Sequence, residues 1–145
     1  MTSSRIVITG VEELLLRQVS PGVLADDGEP SSSAFAPRQV DQGLLSVDRS
    51  SLTTAADAYR LFTAPRPGGF GAQSAGVWAL AVCEVNGLSG TPLRALEDPL
   101  AATSATPADP AHALVDFTPY NTSQQKKKIA QRLKVFALLR GRCHP

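Results

Sequence analysis

No aspartate or glutamate occurs after Asp116 in this chain of 145 residues. Cysteine and histidine are scarce as well, two of each, and aromatic residues make up only 6%. Each shortage excludes something. Two cysteines, Cys83 and Cys143, cannot build the multiply bridged framework of a small disulfide scaffold. Cys83, His112, Cys143 and His144 are all the soft ligands present, and their spacing matches no zinc knuckle, so neither a metal nor a cofactor is expected. The longest apolar run, Val77 to Cys83, falls far short of the ~20 residues that cross a bilayer. The first ten residues hold one arginine and too short an apolar stretch for a secretory leader, which gives a cytoplasmic protein as the expectation. Gly68-Gly69-Phe70-Gly71 is not a phosphate loop, because no Lys-Ser or Lys-Thr follows and no strand leads in.

What remains is ordinary globular material. Hydrophobic residues make up 43% and charged residues 19%. A chain of this size typically buries about 68–70% of its unfolded surface, enough for a core without metal or disulfide. One domain over residues 1–145 is expected. Eight of its eleven prolines and six of its eleven glycines fall in three stretches, 20–31, 64–75 and 89–110, which read as long loops.

Between the loops, hydrophobic spacing predicts the elements. Ile6–Thr9 reads as a short strand, and Leu15–Val19 as an extended segment. Ser32–Ala36 and Leu44–Val47 read as short strands. Ala55, Ala58, Tyr59 and Phe62 fall at helical spacing within Thr54–Thr63, with Ser51 or Thr53 as the cap and Pro65 as the stop. Gly76–Val82 is continuously apolar, as in a strand buried on both faces at the centre of a sheet. Glu84–Leu88 adds one helical turn, and His112–Phe117 another strand. The last element is a helix over Ser123–Arg140, capped by Asn121, Thr122 or Ser123 and closed by Gly141. The sum is an α+β fold: a small, mostly antiparallel sheet packed by one central helix and a basic C-terminal helix.

Charge is divided unequally along this plan. Residues 1–116 hold seven arginines against all thirteen acids, a balance of −6; residues 117–145 hold seven basic residues and no acid, a balance of +7. A basic helix of this kind either docks on its own acidic body or meets an external anion. Lys126, Lys127, Lys128, Arg132 and Lys134 are therefore the candidate partner-binding residues. A protein partner with an acidic surface fits better than nucleic acid, since the acidic body would repel the polymer that the helix attracts. A solvated or self-complementary face is the simplest alternative.

Catalytic candidates are sparser. Cys83 follows an apolar strand and can open a helical turn, where a thiol pKa falls. His112 could serve as its base, the outline of a Cys-His nucleophile, although a buried inert cysteine fits the same residues. Arg17, Ser32 within the run Ser31–Ser33, and Arg49 form a second set, of the kind that nucleotide-using transferases direct at pyrophosphate and ribose. Solvent-facing strand residues explain that set equally well.

The succession LLRQV (15–19), SSSAF (31–35), LSVDR (45–49), AYRLFT (58–63), GVWALAV (76–82) and AHALVDF (111–117), followed by a basic helix, resembles a group of small bacterial proteins with no assigned function. The resemblance implies a bacterial, intracellular, stand-alone domain and carries no activity across. The expectation is a non-enzymatic accessory or regulatory protein that binds another protein. A small enzyme and a nucleic-acid binder are the alternatives.

Overall fold

The computed structural model describes residues 5–145. Five strands form one antiparallel sheet: β1 (Leu14–Val19), β2 (Leu44–Arg49), β3 (Gly76–Ala81), β4 (Arg94–Glu97) and β5 (His112–Asp116), in the order β3-β1-β2-β5-β4. Three α-helices accompany it, α1 (Ala55–Thr63), α2 (Val82–Asn86) and α3 (Ser123–Arg140). The expected α+β architecture is present. No helix among the described residues is long and apolar enough to cross a membrane.

Strand alternation divides the apolar residues between two faces. On one face Leu15, Val19, Leu45, Val47, Trp78, Leu80 and Val115 meet Phe35, Val85 and the α3 residues Ile129, Ala130, Leu133 and Ala137, forming the main core. The α3 positions recur every three or four residues, so one stripe of the helix is buried. On the other face a smaller cluster joins Leu16, Val77 and Ala79 to Ala58 of α1, with Tyr59 packed beside it. Helix α1 covers the β1–β3 side of that face. The β2–β5 side lies under the segment 98–111, whose Leu100 and Asp109 form a backbone bridge.

Both long-range helices start where the sequence permits a cap. Thr54 Oγ1 accepts the Asp57 N–H at 3.1 Å, in place of the expected Ser51 or Thr53. Ser51 Oγ is engaged by Glu13 and so is not free to cap. Thr122 caps α3 by accepting the Gln125 N–H at 3.1 Å. Gly141 ends that helix at φ 85°, a conformation that favours glycine.

Five elements differ from the sequence expectation. Ser32–Phe35 is a 3₁₀ turn, not a strand; it buries Phe35 completely in the main core and turns the Ala34 carbonyl toward Arg17. Strand β3 lies at the sheet edge, not the centre. Its uniform apolarity arises because α3 covers one face and α1 the other. The C-terminal segment covers its free edge, with Val77 N–H donating to the His144 carbonyl at 2.8 Å and Cys143 N–H to the Val77 carbonyl at 2.7 Å. Strand β4 lies inside the stretch read as the 89–110 loop, where four residues between Pro92 and Pro99 were too short to stand out. Helix α2 opens at Val82 and not at Glu84, whose carboxylate instead reaches back to the Ala81 N–H at 2.7 Å. Ile6–Thr9 keeps a single bridge, Val7 to Leu96 on the outer edge of β4.

Candidate functional site

The site begins as a defect in the sheet. β1 pairs with β3 along its whole length, Leu14 to Val19, but with β2 only at Leu15↔Arg49 and Leu16↔Asp48. Beyond Leu16 the two strands part. Gly43 and Arg49 direct backbone groups at the β5 side, so by alternation Ser46 directs its carbonyl toward β1, where no ladder receives it. Arg17 fills the gap. Its Nη1 donates to the Ser46 carbonyl at 3.0 Å and its Nε to the Ala34 carbonyl at 2.8 Å. Burial pulls this guanidinium down to about 10, with Asp41 opposing and Arg38 adding to the shift, and it stays charged at neutral pH. Arg17 is thus a clamp between the sheet and the 3₁₀ turn.

On the α1 side of the parting lies a cavity of about 250 Å³. Ala58, Leu61 and Phe62 of α1 and Leu100 and Pro107 of the covering segment form its apolar wall. Gln18, Asp48, Asp109 and His112 form its polar wall, and Arg66 lies at its side, donating to the Leu61 and Ala64 carbonyls. Gly71 closes the chain behind α1. A Cβ there would run into the Thr63 and Ala64 carbonyls, so only glycine fits.

Asp48 and Asp109 dominate the electrostatics. Asp48 is 9% exposed. Burial first, then a hydrogen bond with the Asp109 carboxyl and the negative charge of that group, push Asp48 up to about 8. Two carboxylates so placed cannot both ionise cheaply, and one proton between them leaves an acid beside a base. Asp48 Oδ1 receives no N–H or O–H from the protein among the described residues, so the shared proton is its natural partner. Asp109 is oriented through Oδ1, which accepts the Ala111 N–H at 3.2 Å. Gln18, also 9% exposed, accepts Ser74 Oγ on Oε1 at 2.8 Å and leaves Nε2 unpartnered.

His112 is the cross-strand neighbour of Asp48. Its Nδ1 stands 3.0 Å from Asp98 Oδ2 and 3.1 Å from the Asp98 carbonyl oxygen. Both are acceptors, so Nδ1 carries the proton and Nε2 is the free base position of the neutral ring. Asp98 is in turn held by Arg5 Nε at 3.0 Å. Two acid–base units, Asp98–His112 and Asp48–Asp109, therefore share one wall.

The residues singled out from sequence scatter. His112 lies in the cavity wall. Cys83 is exposed in the first turn of α2 and is not among the residues that line the cavity with His112, whose Nδ1 is taken by Asp98. The Cys-His dyad is not assembled. Arg49 is engaged by Glu13 at 2.9 Å and Glu97 at 3.3 Å, away from Ser32, so the transferase-like set is not assembled either. Ser32 lines a larger groove of about 900 Å³ together with Arg38, Tyr120, Lys126 and Lys127. That groove is open, and none of the buried unpartnered polar atoms belongs to its lining. Along α3, Arg140 pairs with Glu84 at 3.0 Å, and Arg132 donates to the Ser89 carbonyl at 2.6 Å and to Thr91 Oγ1 at 3.0 Å. Lys126, Lys127, Lys128 and Lys134 form no ion pair among the described residues.

Asp48, Asp98, Asp109 and Gln18 escaped the sequence reading. A signal existed for one: Ser46 and Asp48 are alternate polar positions in an otherwise apolar strand. Asp109 lies in a proline-rich stretch, and only the fold brings it to Asp48. Comparison with known proteins finds no matching family model, curated protein or solved structure. Geometry alone therefore supports a function.

Proposed function

We propose that the chain acts on a small molecule in the cavity beside the β1–β2 parting, as an enzyme using general acid–base chemistry. Asp48 and Asp109 are the proton-sharing pair, and His112, held by Asp98, is the second base. One observation carries this reading: two carboxyls with no cation within ion-pair distance among the described residues face a cavity that α1 and Leu100 wall with apolar side chains. Holding like charges together opposes folding, and such pairs cluster at functional sites. The competing structural role is a latch, in which the shared proton fastens the 98–111 segment to β2. A fragment screen by amide chemical shifts separates the two. Fragments that move the signals of Leu61, Phe62 and His112, and lose affinity in Asp48→Asn, support the enzyme reading. An indifferent cavity in a folded protein supports the latch.

Docking on an acidic protein is the second reading, favoured by four α3 lysines that form no ion pair among the described residues, Lys127 and Lys128 being exposed. It predicts a partner retained at low salt and released when Lys126, Lys127 and Lys128 are changed to Glu. Nucleic acid retained by the same lysines would overturn it. Two free cysteines, Cys83 and Cys143, suit the reducing cytoplasm that either reading assumes.

A further inference from the structure

We propose that the cavity selects a small organic cation, an amine on a short apolar body, with the ammonium group seated between Asp48 and Asp109. This rests on the cavity being a ligand site and names what it takes.

The other carboxylates withdrawn from solvent among the described residues show what is unusual here. Glu13 has Arg49, Glu84 has Arg140, Asp116 has Arg94, Asp41 has Arg38, and Asp98 has Arg5 and His112. Asp48 and Asp109 have no cation within ion-pair distance among the described residues, although both line a cavity. Gln18, nine-tenths buried with Nε2 unpartnered, adds an N–H donor on the same wall, which suits an acceptor atom on the ligand's body and not the ammonium group itself. The remaining wall is aliphatic and aromatic, from Leu16, Leu61, Phe62 and Leu100. At about 250 Å³ the space is below the roughly 300–1,000 Å³ of sites for drug-sized ligands, which restricts the body to a few carbons or one ring.

The charge balance is explicit. The empty pair carries one shared proton. An incoming ammonium ion takes that proton's place and releases it to solvent, leaving two carboxylates and one cation. The charged and titratable groups around the pair are Arg17 from β1, His112 from β5, Arg66 behind α1, and Asp98 at the start of the covering segment. Arg17 is committed to the Ser46 and Ala34 carbonyls, Arg66 to those of Leu61 and Ala64, and Asp98 to Arg5 and His112. Neither arginine comes within ion-pair distance of Asp48 or Asp109.

The test is calorimetric titration of the full chain with benzylamine and n-butylamine, and with benzyl alcohol and n-butanol as neutral matches. The amines should bind at least about tenfold more tightly than the alcohols at about pH 8, and one proton released per amine lowers their affinity by up to about tenfold per pH unit toward about pH 6. Asp48→Asn should abolish the preference, and Asp109→Asn provides the same readout if the first variant folds poorly. Equal binding of alcohols and amines would overturn the cation while leaving a ligand site. Failure of all four probes at millimolar concentration, with no shift of the Phe62 or His112 signals, would remove the ligand site as well.

Discussion

Replacing Asp48 by Asn should make the protein more stable above neutral pH and less sensitive to pH. In the folded state the Asp48 carboxyl is raised from its ordinary 3.8 to about 8, first by burial and then by Asp109. The folded protein therefore holds a proton that the unfolded chain releases. The stabilising effect of that proton is fully present below about pH 4 and is lost as pH rises toward about 8, at up to ~1.4 kcal/mol per unit, a few kcal/mol over the window after solvent and relaxation reduce it. Glu13, Asp41 and Asp116 act in the opposite sense. Although burial works to raise each of them, hydrogen bonds and arginines hold them below their ordinary values, so their stabilisation is present above about pH 4.5 and lost on acidification. Stability should thus peak at about pH 5 in the wild type. Urea unfolding followed by circular dichroism, at steps from about pH 4.5 to about pH 8.5, measures this directly. Asp48→Asn should remove the alkaline decline and keep the acidic one; Asp109→Asn should remove only part of the decline, because burial of Asp48 persists. A wild type whose stability is flat or rising between about pH 5 and about pH 8, or an Asp48→Asn variant with an unchanged decline, would refute the reasoning.

Three other perturbations follow from the packing. Leu133→Ala, at a fully buried α3 position, should lower unfolding stability by about 2–5 kcal/mol in urea titration, through lost apolar contact and the cavity left behind. Arg17→Met leaves the Ser46 and Ala34 carbonyls without their donor and should cost roughly 2–4 kcal/mol, with faster amide exchange in β2 as its local mark. Removing residues 142–145 uncovers the β3 edge, and light scattering should then detect concentration-dependent self-association that the full chain lacks.

The elements with strong local patterning were legible in the sequence. β1, β2, α1, β3, β5 and α3 follow from hydrophobic period, proline stops and cap residues within a few positions. The sheet order was not, because continuous apolarity in β3 records burial by two helices and says nothing about which strand is central. β4 was lost since four residues give no period, and Ser32–Phe35 because a buried Phe35 looks the same in a strand and in a 3₁₀ turn. The site was legible at His112 and, without its clamping role, at Arg17. Asp48 and Asp109 are 61 positions apart in the chain, and their proximity follows from the β2–β5 register together with the path of the 98–111 segment, neither of which local sequence encodes. The basic helix, the most conspicuous feature of the sequence, proved to dock through Ile129, Ala130, Leu133 and Ala137, with its lysines in no ion pair among the described residues.

The most direct test of the account is a carboxyl-carbon NMR titration of Asp48 and Asp109, assigned by the two Asn variants. Two linked steps are expected, one of them at about 8 and lost in Asp48→Asn. Both carboxyls titrating independently at about 4, the ordinary range for an exposed aspartate, would contradict it.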